Sequence, residues 1–163
     1  SRRNVYSRNI VVNVFGGDGV YNKADGGIMC SIGGWLKHQH IINDLYIITT
    51  GHCYDNNFGE NYFYYKPWNS NSHALPFGSI QFESRTDGFY DFAVIRVENE
   101  DLNPQFVIRT DDSDQYKELI IINGGPMSSH YAHICKSGVI THLTCGYVLG
   151  FDGFSMELKK MTV

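Results

Sequence analysis

The chain is a series of short apolar segments, each closed by turn residues, with no sustained helical periodicity between them. Ile10–Phe15 runs into Gly16-Gly17-Asp18-Gly19, Ile28–Ile32 ends at Gly33-Gly34, and Leu45–Thr50 is a β-branched run. Tyr62–Tyr65 is an aromatic run ending near Pro67, and Phe77–Glu83 alternates loosely. Phe92–Val97 is apolar on both faces, as a buried strand is. Leu119–Ile122 stops at Asn123-Gly124-Gly125-Pro126, and Tyr131–Cys135, Leu143–Leu149 and Phe154–Val163 follow. About ten such segments at a spacing of about 8–12 residues predict an all-β barrel or sandwich. Seventeen glycines against four prolines supply the tight turns, and the 14% aromatic content suits pleated surfaces. The one helical expectation is a short turn after Gly51, where the polar stretch His52–Asn57 follows a strand. There are no repeats and no low-complexity tracts.

With 163 residues the chain can bury one real core and is too short for two ordinary domains. The stretch Glu98–Asp114 is polar and acidic and contains Asn103-Pro104, so it is expected to link two groups of strands. The predicted organisation is residues 1–100, a linker over 101–118, and residues 119–163. Thirteen basic residues against seventeen acidic ones give a net charge of −4, which leaves no excess for a phosphate backbone and argues against nucleic acid as a partner. No apolar run reaches the roughly 18–20 residues that span a bilayer, so no membrane partner is expected. Ser1-Arg2-Arg3-Asn4 lacks the apolar stretch of a secretory leader, so a secreted protein would be represented here by its mature form. No Asn-x-Ser/Thr site is present.

Four cysteines, Cys30, Cys53, Cys135 and Cys145, allow three pairings. No C-x-x-C occurs, which disfavours zinc and redox motifs. The first two lie in the N-terminal group of strands and the last two in the C-terminal group. The natural pairing is therefore Cys30–Cys53 and Cys135–Cys145, each closing a short loop. The alternative is four buried free thiols in a reducing compartment.

Ile47-Ile48-Thr49-Thr50-Gly51-His52-Cys53 is the most informative segment. A β-branched strand runs into a glycine, a histidine and a candidate half-cystine. The glycine permits a sharp turn and the cysteine pins the backbone beside the imidazole, the immobility that a general base needs. In Tyr90-Asp91-Phe92-Ala93-Val94-Ile95-Arg96-Val97 a single carboxylate stands at the mouth of an otherwise apolar strand. A carboxylate there needs a partner, and an imidazole N–H would satisfy it while fixing the histidine tautomer.

These segments, taken in order, resemble the chymotrypsin superfamily of serine proteases, in particular its bacterial branch of α-lytic protease and streptogrisins. That branch has a Thr-Ala-Gly-His-Cys-like turn and an Asp opening an apolar strand. Ile134-Cys135-Lys136-Ser137-Gly138 and Thr144-Cys145-Gly146-Tyr147-Val148 look like its Cys-Arg-Ser-Gly and Cys-Gly-Thr hairpin. Phe15-Gly16-Gly17-Asp18 and Met29-Cys30-Ser31-Ile32-Gly33 also have counterparts, so the resemblance runs collinearly from about Ile10 to Val163. It implies a chymotrypsin-like double antiparallel β-barrel, with the first barrel complete over residues 1–100 and the second partial over 119–163. It implies His52 as general base, Asp91 as its orienting carboxylate, and protein or peptide as substrate, without a cofactor. It also implies secretion to the extracellular space.

The third member of the triad has no match. The family's Gly-Asp-Ser-Gly-Gly follows a strand like Phe154–Val163, and Val163 falls just short of it. Ser128 and Ser129 precede the second cysteine hairpin, Ser137 lies within it, and Ser155 lacks the following glycines. The oxyanion donors that flank that serine are missing with it. Two readings stay open. One is a serine endopeptidase whose nucleophile comes from elsewhere; the other is a protease-like binding module without catalysis. Either leaves a half-built second barrel with exposed edges, to be covered by a second chain, a continuation or another copy.

The remaining candidates have plainer readings. His38 and His40 form a polar turn with no carboxylate or cysteine ligand beside them, and His130, His133 and His142 mix faces. Tyr62–Trp68 reads as barrel core plus an exposed edge. Gly16–Gly19 lacks the Lys-Ser/Thr of a phosphate loop, and Asp111, Asp112 and Asp114 lack calcium-ligand spacing. No metal site is expected.

Overall fold

A computed structural model of the protein describes residues 11–22, 27–41, 44–54, 61–70, 73–84, 90–110 and 117–151. Its strands are β1 (Val12–Gly16), β2 (Gly19–Tyr21), β3 (Cys30–Ser31), β4 (Gly34–Lys37), β5 (Leu45–Thr49) and β6 (Tyr62–Lys66). They continue with β7 (Leu75–Ser84), β8 (Phe92–Arg96), β9 (Leu102–Arg109), β10 (Glu118–Ile120), β11 (His133–Gly138) and β12 (His142–Tyr147). The only helical element among the described residues is a 3-10 turn at Gly51–Cys53, where a short turn was expected.

Strands β2 to β8 form one sheet in the order β3-β2-β6-β7-β8-β5-β4. Its two outermost strands are neighbours in sequence, joined by Ile32 and Gly33. The Ile32 N–H donates to the Asp18 carbonyl at 2.9 Å and the Gly33 N–H to the Ile48 carbonyl at 2.8 Å. The backbone bonding therefore passes from one end of the sheet to the other through a single bent strand, and the sheet closes into a barrel. Closure removes the exposed edges that an open sheet would present.

Period-two alternation fills this barrel. Phe63 and Tyr65 of β6, Ile47 and Thr49 of β5, and Ala93 and Ile95 of β8 are buried. Register aligns them, with Trp35 opposite Ile47 and Ile47 opposite Ile95. Val14, Val20, Cys30, Ile32, Phe77 and Leu102 complete the core. A Cβ at Gly78 would lie 1.7 Å from the Arg96 carbonyl oxygen, so only glycine lets β7 pass β8 there.

Three strands were not anticipated. β2 and β4 are short and abut glycines that read as turns. β9 lies within the stretch expected to be linker. It pairs in parallel with β1 and antiparallel with β10, the β1 ladder being the exception to antiparallel pairing among the described residues. Asn103-Pro104 and the flanking acids mask it in the sequence, so that its short apolar run Phe106-Val107-Ile108 reads as part of a loop. The expected final strand Phe154–Val163 lies outside the described residues.

β11 and β12 form a separate antiparallel hairpin, with Cys135 directly opposite Cys145. Their outer residues and those after β10 are open. Ile120 is 73% exposed, Ile122 93%, Tyr147 64% and Leu149 81%. The first barrel is complete and the second is represented by part of its strands.

Candidate functional site

β5 and β8 are antiparallel neighbours, with Thr49 opposite Ala93. This register brings the residues that leave β5 beside those that enter β8. His52 sits in the 3-10 turn after β5, and Asp91 immediately precedes β8. The turn is closed by the Tyr54 N–H donating to the Gly51 carbonyl at 3.0 Å. It is pinned by the disulfide Cys30–Cys53, with Cα atoms 6.2 Å apart. Cys53 is buried while His52 faces outward, so the anchor is in the core and the imidazole is accessible.

His52 and Asp91 meet through two hydrogen bonds. The ring Nδ1 lies 2.6 Å from Asp91 Oδ2, and the His52 backbone N–H donates to Oδ1 at 2.9 Å. An ionised carboxylate can only accept, so Nδ1 carries the proton and Nε2 is left with its lone pair. The His52 ring hydrogen bond holds the Asp91 carboxyl below the usual carboxylate range, aided by the backbone N–H groups of His52 and Gly51 and opposed by partial desolvation. Both side chains remain open to solvent, at 57% and 48%. This is an imidazole oriented by its carboxylate on a disulfide-pinned turn, with Nε2 directed away from that carboxylate.

Among the described residues no serine hydroxyl bonds His52. Ser137 donates to the Arg109 carbonyl at 2.7 Å, and Ser128 and Ser129 lie in the exposed segment before β11. Ser155 lies outside the described residues.

The second cysteine pair, Cys135–Cys145, has Cα atoms 4.0 Å apart. Histidine–cysteine groupings around both pairs offer no thiolate to a metal, because their sulfurs are bonded to each other. His38 Nδ1 accepts the His40 and Ile41 N–H groups at 3.1 and 3.2 Å, which occupies that lone pair in shaping the turn. His130, His133 and His142 each face a different ring, those of Phe151, Tyr147 and Trp68. In the aromatic run, Phe63, Tyr65 and Trp68 are buried. Asp111, Asp112 and Asp114 lie outside the described residues. No helix among the described residues is long and apolar enough to cross a membrane.

Sequence reasoning did not find the seam between the barrel and the hairpin. Asp18, read as a turn residue, is fully buried. It pairs with the Arg109 guanidinium and accepts the Phe15 N–H at 2.9 Å and the Tyr65 hydroxyl at 2.8 Å. Burial pushes its carboxyl above the usual range despite these donors, and the buried Tyr65 hydroxyl is pushed up beside it. Trp68 donates its indole N–H to the Gly17 carbonyl at 2.8 Å and stacks on His142 at 4.4 Å. An acid set among glycines between two apolar runs was the available signal, but its partner is 91 residues away.

A closed β-barrel with a histidine turn leaving one strand, an aspartate entering its neighbour, and a cystine-bridged hairpin beside it is the chymotrypsin-like fold. Solved structures sharing it include an α-lytic protease homologue (N4; TM-score 0.56, 19% identity), Thermobifida fusca protease A (0.57, 18%) and Nocardiopsis protease (0.57, 18%). Each match covers 85% of this chain and 61–62% of the other, so the chain spans less than two thirds of those proteins. No family model and no curated protein sequence matches the chain.

Proposed function

We propose that this chain is the base-bearing part of a secreted serine endopeptidase, and that peptide-bond hydrolysis is its reaction. The observation that carries the reading is the doubly bonded His52–Asp91 pair, with ring and backbone N–H groups both directed at one carboxylate. His52 Nε2 takes the proton of a serine hydroxyl as that oxygen attacks the scissile carbonyl, and then returns it to the leaving amine. Asp91 holds the tautomer and stabilises the imidazolium that forms in between. Water repeats the cycle to release the acyl group.

The serine belongs to a segment outside the described residues, either of this polypeptide or of a second chain. The exposed apolar side chains of Ile120, Ile122, Tyr147 and Leu149 supply the surface on which that segment packs. Two disulfides suit an oxidising, extracellular compartment. The test is hydrolysis of peptide substrates by the full protein and its Asp91→Asn variant. The expected fall in kcat is about 10⁴-fold, because the amide no longer fixes the base-competent tautomer. Activity undiminished by Asp91→Asn, or by His52→Ala, overturns the reading.

A further inference from the structure

The turn that carries His52 is held on both sides by one dipeptide, Cys30-Ser31. After the histidine, Cys53 is bonded to Cys30. Before it, the Thr49 hydroxyl, itself buried, donates to the Ser31 carbonyl at 2.9 Å. The Ser31 side chain points the other way, into the hairpin. Its Oγ accepts the Val139 N–H at 3.0 Å, and a Cβ built on Gly138 would lie 3.0 Å from it. A single residue thus touches the strand that delivers the base and the turn of the β11–β12 hairpin.

We infer that Ser31 is a positioning residue that sets the hairpin against the His52 turn. This rests on the reading of His52 as the base, since only then does the register between the two matter to chemistry. The coupling is short and covalent in part. Displacement of the Ser31 backbone acts on Cys30 and so on Cys53, and through its carbonyl on Thr49. Ser137 provides the contrast. It anchors the same hairpin to the Arg109 carbonyl of β9 rather than to the strand that delivers His52.

The experiment compares backbone amide spectra and hydrogen exchange of the full protein with those of Ser31→Ala, Ser31→Thr and Ser137→Ala. In Ser31→Ala, exchange at the Val139 amide is expected to rise about tenfold, the loss of one hydrogen bond. The His52 amide, which is bonded to Asp91, is expected to shift together with it. Ser31→Thr keeps a hydroxyl and a strand-compatible side chain and is expected to restore both signals. It also serves if the alanine variant does not fold. Ser137→Ala is expected to loosen the hairpin and leave the His52 amide in place.

An unmoved His52 amide in Ser31→Ala overturns the inference, leaving Ser31 a simple anchor. So does an equal shift in Ser31→Ala and Ser137→Ala, which would report general loosening. So does a Ser31→Thr variant that behaves as alanine does. These signals do not depend on catalysis, so a protein without hydrolytic activity would refute the proposed function alone.

Discussion

Replacing Asp18 with alanine tests how the barrel is tied to β9. The carboxylate is fully buried and accepts from Arg109 Nε and Nη2, the Phe15 N–H and the Tyr65 hydroxyl. Removing it deprives a guanidinium that is only 14% exposed of the Asp18 carboxylate. Breaking a buried pair by deleting one partner costs about 3–5 kcal/mol. The orphaned N–H and hydroxyl fall within that range, because the same four donors share one acceptor group and their losses do not add. With a urea dependence of about 2 kcal/mol per molar, the unfolding midpoint should drop by about 1.5–2.5 M. Total stabilities are about 5–15 kcal/mol, so Asp18→Ala can approach complete unfolding, and Asp18→Asn provides a milder companion. The double variant Asp18→Ala/Arg109→Met removes both charges and should recover a large part of the loss. A midpoint shift corresponding to less than about 1 kcal/mol for Asp18→Ala, the size of an exposed pair, would refute the reasoning. So would a double variant as unstable as the sum of the two single ones.

Two further outcomes follow from the seam and the site. Gly17 has a φ of 91° and a Cβ there would sit 2.0 Å from Ser137 Oγ, so Gly17→Ala should displace the hairpin at a cost of about 1–3 kcal/mol. Faster amide exchange across β11 and β12 would register it, and native exchange would count against the packing described. The Asp91 carboxyl titrates lower in the folded protein than in the unfolded chain, chiefly through the His52 ring. Its stabilisation is therefore present above the ordinary carboxylate pKa and lost as pH falls through the lowered folded value. Because Asp91 is about half exposed, solvent screening limits this to roughly 0.2–1 kcal/mol, seen as the difference between the acid-unfolding curves of the parent and Asp91→Asn.

Much of the barrel is legible in the sequence because its longer strands are aromatic or β-branched runs bounded by turn residues. Tyr62–Tyr65 and Phe92–Val97 mark β6 and β8, and the run into Gly51-His52-Cys53 marks β5 and its turn. His52 and Asp91 are legible for a related reason. Each is a titratable group at the end of an apolar strand, where packing alone does not call for one. β2 and β4 escape notice because three or four residues beside glycines carry too little periodicity to separate strand from turn. β9 escapes because Asn103-Pro104 and the surrounding acids read as linker and outweigh its short apolar run Phe106-Val107-Ile108. The Asp18–Arg109 pair is hidden in the same way. Both residues look like surface charges until the barrel and β9 are brought together, and only then does burial make their pairing obligatory.

The most direct test of the central claim is intact mass spectrometry of the full protein before and after a fluorophosphonate that acylates activated serines. The expected result is a single adduct on one serine, abolished by His52→Ala. No adduct on the folded, two-disulfide protein, or an adduct that survives loss of His52, would contradict the assignment of His52 and Asp91 as the base pair of a serine endopeptidase.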